Sequence, residues 1–109
     1  MENTRIINNV TAEKLISENK DILIIDVRRF NEYKEKHLKD AINIPVDELE
    51  WEIDEISDYK DKPILVYCNV GNKSAIACKQ LAEEGFTKLY DLRGGILDYN
   101  GKTVSGIDK

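Results

Sequence analysis

The chemistry of this chain is most concentrated at Cys68, which opens a short turn that contains a glycine. The turn spans residues 68–74 and lies between a β-branched apolar run, 64–67, and an alanine-rich helical stretch that begins at Ser74. A strand that runs through such a turn into a helix leaves backbone N–H groups unpaired and directed at one point, which suits an anion. The helix N-terminus and Lys73 both favour the charged form of the thiol. The sequence therefore predicts a nucleophilic thiol in an anion-binding cradle, with a buried cysteine that only fills space as the alternative.

Length and charge restrict the functions that this thiol could serve. A chain of 109 residues is long enough for one core, so we expect a single domain over residues 1–109. Charged residues make up 34% and the net charge is −5, which argues against a nucleic-acid partner. Two cysteines ten residues apart, without a charged and then apolar leader, predict a cytoplasmic location. Apolar runs such as 22–25 are too short for a membrane span, so we expect no membrane partner.

Short β-branched runs alternate with amphipathic segments, a pattern typical of an α/β domain with a mostly parallel sheet. The continuously apolar run 22–25 favours a central strand that is buried on both faces. Gly85 is a natural residue to end a helix before the last strand. The predicted strands are 5–7, 22–27, 41–44, 64–67 and 88–92.

Four helices are predicted between these strands. The predicted starts are a Thr11 cap for a helix over 12–18, an Asn31 cap for a short helix through Lys36, Asp47 for a third helix, and Ser74 for the last. Helical spacing directs Leu49, Ile53 and Ile56 inward, with Trp51 packing at the border of that face. In the last helix it places Ala75, Cys78 and Leu81 or Ala82 on one stripe.

Three of the four arginines follow predicted strands, at the edge where open α/β sheets bind ligands. Arg28 and Arg29 follow the second strand, and Arg93 follows the last. Because arginine suits the bidentate recognition of oxyanions, we expect Arg28 to bind the substrate anion. The alternative for Arg28 is a structural ion pair with Asp26 or Glu32. For Arg29 we favour a solvated surface position.

Three fragments of the sequence, in matching order and spacing, resemble the single-domain rhodaneses, which are thiosulfate-type sulfurtransferases. The first fragment joins 26–28 (Asp-Val-Arg), 32–33, 37–38 and 41–45; the second is the turn 68–74; the third is 92–96. The resemblance covers nearly the whole chain. It implies a three-layer α/β domain whose five-stranded, mainly parallel sheet has helices on both faces, and a persulfide carried on Cys68.

The chain departs from the family pattern at a few positions. Lys36 and Asp40 stand where rhodaneses often have glycine, which alters turn geometry. Lys73 replaces an arginine that is common at that loop position, so a point charge stands where a bidentate fork often does. Tyr99 takes the place of an aromatic residue, often tryptophan, that packs after the Gly-Gly pair. None of these changes removes the nucleophile.

Other chemistries are less compatible with the same residues. A cysteine phosphatase requires arginine at the sixth position after the cysteine, and that position is Ser74. His37 is the only histidine, so it cannot form a zinc site, and its place before the third strand favours a structural role over that of a general base. Cys78 lies on the apolar stripe of its helix, which argues against a resolving thiol. No metal site or cofactor is expected.

The resemblance implies that Cys68 is the catalytic residue of a sulfurtransferase that takes sulfur from thiosulfate or a similar donor and passes it to cyanide or a thiol acceptor. The expected substrate-binding residues are Asn69, Val70, Gly71, Asn72, Lys73, Ser74 and Arg28. One alternative is a relay module that receives sulfur from a protein donor and passes it to another protein, with little turnover of free thiosulfate. Another is an interaction domain without catalysis, in which Cys68 would take up no sulfur.

Overall fold

A five-stranded parallel sheet lies at the centre of the computed structural model, which describes residues 3–106. In chain order its strands are β1 (Thr4–Ile7), β2 (Leu23–Asp26), β4 (Ile42–Asn43), β5 (Ile64–Tyr67) and β6 (Leu89–Leu92). A separate antiparallel pair consists of β3 (His37–Leu38) and β7 (Thr103–Val104). The strand order in the main sheet is β1-β6-β5-β2-β4. The helices are α1 (Asn9–Glu18), α2 (Phe30–Glu35), α3 (Leu49–Glu52) and α4 (Asn72–Glu83).

Both faces of the sheet are covered, as expected for a parallel sheet. Because successive side chains of a strand point to opposite faces, Ile64 and Val66 of β5 join one apolar cluster, while Leu65 and Tyr67 join the other. The first cluster is completed by residues of α3 and α4, and the second contains Ala12 of α1. The predicted three-layer α/β architecture with a five-stranded parallel sheet is confirmed.

Two helices begin earlier than the sequence predicted. Asn8 caps α1, and its Oδ1 accepts a hydrogen bond of 2.9 Å from the backbone N–H of Thr11, so the predicted Thr11 cap is wrong. Asparagine is at least as good a cap as threonine, and it comes three residues sooner. The Asn31 cap is also wrong, because α2 starts at Phe30 and the backbone N–H of Arg29 donates to the Glu32 carboxylate at 3.3 Å.

The helix predicted from Asp47 is broken into three short pieces. A 3-10 turn at Val46–Glu48 leads into α3, and a further 3-10 segment covers Asp54–Tyr59. The inward positions of Leu49, Ile53 and Ile56 are confirmed. Trp51 is 74% exposed, so its predicted packing role is wrong.

The remaining differences concern element ends. α4 starts at Asn72 rather than Ser74, and its buried stripe is Ser74, Ala77, Cys78 and Leu81, with Ala75 exposed. β4 is only two residues long, shorter than the predicted 41–44. Gly85 has φ +98°, the left-handed conformation that ends many helices, as predicted. The β3 and β7 pairing was not predicted.

Candidate active site

The parallel sheet brings the predicted site residues to one edge. Arg28, Cys68 and Arg93 come at or just after the carboxyl ends of β2, β5 and β6, which are neighbours in the sheet. This is the edge at which open α/β sheets bind ligands. The sequence prediction that these strand ends share a rim is therefore confirmed.

The Cys68 sulfur sits inside its own loop as the acceptor of two backbone hydrogen bonds. The N–H of Gly71 donates to Sγ at 3.1 Å, and the N–H of Ser74 donates at 3.3 Å. The residue is only 2% exposed. Two amide donors on one sulfur are more useful to an anion than to a neutral thiol, because hydrogen bonds to charged groups are roughly twice as strong as neutral ones.

Two glycines allow this loop to close against the chain that follows β6. Gly71 has φ +106°, and a Cβ there would lie 2.6 Å from the Arg93 carbonyl oxygen. Gly95 has φ +64°, and a Cβ there would lie 2.6 Å from the Cys68 carbonyl oxygen. The N–H of Ile96 donates to that carbonyl at 2.9 Å. The Gly-Gly segment at 94–95 thus packs directly against the cysteine loop and holds it in place.

Arg28 is buried and directs most of its guanidinium at Asp26. Nη2 lies 2.7 Å from the Asp26 carboxylate, Nε donates to both carboxylate oxygens, and the Arg28 backbone N–H donates to Oδ1 at 2.9 Å. Nη1 donates to the Asn69 side-chain oxygen at 3.2 Å. The ion pair with Asp26 is thus present, and the remaining nitrogen faces the cysteine loop.

Asn69 is held between Arg28 and Glu32. Its Nδ2 donates to the Glu32 carboxylate at 2.9 Å. This hydrogen bond is the largest cause that lowers the pKa of Glu32, assisted by the charges of Arg28 and Lys73. The first residue of the loop is therefore oriented by a cation on one side and an anion on the other.

A cleft of about 360 Å³ opens beside Cys68. Its cationic members are Lys73, Arg28 and Arg29. Arg29 is exposed, as predicted, and it also lines the cleft. Glu32 is its acidic member. The lining residues are Arg28, Arg29, Asn31, Glu32, Cys68, Asn69, Val70, Asn72 and Lys73. A small anion entering this cleft would meet a net positive charge next to the sulfur.

Behind the loop, a buried carboxylate reaches Cys68 through a hydroxyl. The Ser74 Oγ donates to Asp91 Oδ1 at 2.6 Å, and the Cys68 thiol donates to the same Oγ at 3.6 Å. Burial raises the pKa of Asp91, while the hydrogen bond from Ser74 and the charge of Arg93 act in the opposite direction. Sequence reasoning missed this contact. The available signal was an acidic residue inside the otherwise apolar last strand.

Cys78 and His37 are both placed in structural surroundings. Cys78 is buried in the apolar layer between the sheet and α4. Burial, followed by the charges of Asp91 and Cys68, raises the pKa of Cys78 far above its ordinary value, so it stays a thiol. The His37 ring stacks on Tyr33 at 3.8 Å between centroids, and its Nδ1 lies 2.7 Å from the Tyr33 carbonyl oxygen.

The family follows from a comparison with known domains. The model of the rhodanese-like domain matches residues 9–102. The chain belongs to the rhodanese-like family. As a rhodanese it is 38% identical over 89 residues to the thiosulfate sulfurtransferase GlpE of Coxiella burnetii, covering 82% of this chain and 80% of that protein. It is 35% identical over 98 residues to the uncharacterized protein YqhL of Bacillus subtilis, covering 90% of this chain and 76% of that protein.

A solved structure agrees with this rhodanese assignment. The structure described as a rhodanese with anions from E. coli superposes with a TM-score of 0.71 and 35% sequence identity, covering 78% of this chain and 99% of that one. Within residues 3–106 of this rhodanese, no helix is both long and apolar enough to cross a membrane.

Proposed function

We propose that this rhodanese moves sulfane sulfur from thiosulfate, or a similar donor, to cyanide or a thiol acceptor through a persulfide on Cys68. The observation that carries the proposal is the Cys68 sulfur beside a cationic cleft, with the amides of Gly71 and Ser74 donating to it. Such donors stabilise negative charge on sulfur, which the thiolate carries before transfer and the persulfide carries after it.

In the first step, the Cys68 thiolate attacks the outer sulfur of thiosulfate. A new S–S bond forms as the bond between the outer sulfur and the sulfonate sulfur breaks, and sulfite leaves with the electron pair. In the second step, cyanide or a thiolate attacks the outer sulfur of the persulfide, and the Cys68 thiolate is released. This covalent route splits one transfer into two and predicts ping-pong kinetics.

The residues around Cys68 are assigned separate tasks in this scheme. Lys73 lines the cleft, and its ammonium binds the sulfonate end of thiosulfate. Arg28 contributes positive charge and, through its hydrogen bond to Asn69, orients the first residue of the loop. Asn72 and Val70 line the cleft and shape the space for the donor. Both cysteines are free thiols, which supports a reducing location such as the cytoplasm.

A sulfur relay between proteins is the second candidate, and exposed apolar side chains favour it. Val70 lines the cleft and is 55% exposed. Phe30 is 51% exposed and lies in the chain between Arg29 and Asn31, which both line the cleft. An apolar rim of this kind suits a protein surface better than it suits a small anion.

Intact mass after thiosulfate treatment is the decisive test of the proposed chemistry. The wild type should gain one sulfur atom, and a thiol reductant should remove it. Cys68→Ser should gain none and should form no thiocyanate from cyanide. Cys78→Ala is the matched control, which should load sulfur like the wild type. Sulfur loading or turnover that persists in Cys68→Ser would contradict the proposal.

Kinetics separate the enzyme from the relay. Fast, saturable turnover of free thiosulfate is expected for the enzyme. Slow turnover together with rapid loading from a persulfidated protein donor would favour the relay. Failure of both donors to load Cys68 would leave an interaction domain without catalysis.

A further inference from the structure

The Asp91 carboxylate is the acidic group that the sulfur-transfer scheme does not use. It is 5% exposed and lies on β6, where alternation along the strand directs it toward α4. Its register partners, Val66 on β5 and Ile6 on β1, are apolar. A carboxylate in such a layer is costly unless it is hydrogen-bonded, and here the donor is Ser74.

Ser74 joins this carboxylate to the nucleophile. It is fully buried at the start of α4, and its hydroxyl lies 2.6 Å from Asp91 Oδ1 and 3.6 Å from Cys68 Sγ. A hydroxyl has one proton to donate. The hydroxyl also lies 3.2 Å from the Gly71 carbonyl oxygen, but the contact to Asp91 is shorter and charge-assisted, so Asp91 takes the proton. The Ser74 oxygen is then left as an acceptor toward sulfur: it accepts a hydrogen bond from a thiol and donates none to a thiolate.

We propose that Asp91, acting through Ser74, opposes the loop amides at Cys68 and disfavours the Cys68 thiolate more strongly before sulfur is loaded than after. The chain of hydrogen bonds runs from the Cys68 thiol to Ser74 and from Ser74 to the Asp91 carboxylate. Ionisation of Cys68 releases its proton to solvent and leaves two negative charges within about 6 Å, a range in which like charges oppose each other's ionisation. Asp91 is thus a positioning residue that acts against the loop amides.

The persulfide escapes most of this opposition. Its negative charge resides on the outer sulfur, which lies one S–S bond of about 2 Å beyond Sγ. The charge is then farther from Asp91, and Sγ itself no longer carries it. The carboxylate therefore disfavours the empty thiolate more than the loaded persulfide, which favours the sulfur-carrying state of the protein.

Other charged groups face the same carboxylate. Arg93, two residues farther along the chain, acts to keep Asp91 ionised. On α4, burial and then the Asp91 charge raise the pKa of Cys78, which remains a neutral thiol.

Alkylation of Cys68 by iodoacetamide measures this effect without any sulfur donor. The quantity followed is the pH at which the alkylation rate is half of its plateau. Trypsin cleavage after Lys60, Lys73 and Lys79 separates the peptide that carries Cys68 from the peptide that carries Cys78, so mass spectrometry reads each thiol alone. The inference rests on the proposed function only for the persulfide step, so alkylation tests the carboxylate even if no donor loads sulfur.

Asp91→Asn keeps the shape and an acceptor for Ser74 but removes the charge. Its alkylation midpoint should fall by about one to two pH units, the shift expected from a like charge at this distance in a protein of effective dielectric constant near 20. Ser74→Ala should also lower the midpoint, because the thiol loses its acceptor. Asp58→Asn, at an exposed position, is the charge-matched control and should leave the midpoint unchanged.

Several outcomes would overturn the inference. An unchanged or higher midpoint in Asp91→Asn removes Asp91 from the control of Cys68. A higher midpoint in Ser74→Ala would show that the hydroxyl donates to the thiolate, the opposite of the proposed direction. A fall in Asp91→Asn with no change in Ser74→Ala would show that the charge acts directly and not through Ser74. If Asp91→Asn does not fold, the direction in which Ser74→Ala shifts the alkylation midpoint decides whether the inference holds.

Discussion

At the scale of single residues, Lys73 separates the contribution of side-chain charge from that of the loop amides. Lys73→Ala removes the ammonium from the cleft and leaves the backbone N–H groups of Gly71 and Ser74 on the sulfur. A charge-assisted hydrogen bond contributes about 1.5–3 kcal/mol, so kcat/KM for thiosulfate should fall by roughly 10- to 150-fold. Most of the fall should appear in KM, with persulfide still formed at high thiosulfate.

Lys73→Arg is the matched control for this change, because it keeps the positive charge and should keep most of the activity. Steady-state kinetics over a range of ionic strength checks both variants. Wild-type kinetics for Lys73→Ala at every salt concentration would show that Lys73 points to solvent, and recognition of the anion would pass to Arg28, Arg29 or the amides.

Local sequence pattern was enough to single out Cys68 and its loop but not the side chains that contact them. Cys68 stands out because strand, turn and helix signals meet at it within a few residues. The contact of Ser74 with Asp91 depends on β6 lying beside β5, and the contact of Asn69 with Glu32 joins residues 37 positions apart. Such partners depend on which strands become neighbours, and no local spacing carries that information.

At the scale of elements, the cysteine loop depends on the segment after β6 as much as on its own residues. The N–H of Ile96 and the N–H of Leu97 donate to the carbonyls of Cys68 and Asn69, and Gly95 permits the close approach. Since Gly95 also has φ +64°, a side chain there would be strained and would press on the loop.

Gly95→Ala should therefore damage function and stability together. We expect the free energy of unfolding to fall by about 1–3 kcal/mol from backbone strain, and sulfur loading from thiosulfate to fall further because the loop shifts. Gly106→Ala is the matched control: Gly106 also has a positive φ, +91°, but a Cβ there would meet nothing within 4 Å. Chemical denaturation and intact mass check the pair. Equal effects of the two substitutions on sulfur loading would contradict the supporting role of the segment.

Element types were easier to predict than element ends. The strands of the sheet were recognised because continuous apolar runs are typical of buried parallel strands. Helix starts moved by two to three residues because several capping residues compete near each start, as with Asn8 and Thr11. The segment 46–59 has helical spacing of apolar residues, yet it folds as 3-10 and α turns, since inward spacing at three and four residues suits either form.

At the scale of the whole molecule, an acidic protein presents a locally cationic cleft. The net charge is −5, whereas Lys73, Arg28 and Arg29 line the cleft beside Cys68 with Glu32 as its acidic member. The long-range field therefore does little to attract an anion, and its capture depends on groups within a few ångströms of the sulfur. Added salt should weaken thiosulfate use less than it would for a protein with a large basic surface.

The buried Asp91 should also give the unfolding free energy a recognisable pH dependence. Burial raises the pKa of Asp91 in the folded state above the unfolded value of about 4, so the folded state holds that proton more tightly. The resulting stabilisation is complete below pH 4 and is lost as the pH rises through the folded-state pKa. Asp91→Asn has no carboxyl proton to release, so its unfolding free energy lacks this pH-dependent contribution. The difference in unfolding free energy between Asp91→Asn and the wild type should therefore grow in favour of the variant as the pH rises from about 4.

Urea denaturation across that range measures the difference, with Asp58→Asn reporting the general effect of removing one surface carboxylate. A difference that shrinks with rising pH would mean that the hydrogen bond from Ser74 and the charge of Arg93 outweigh burial at Asp91.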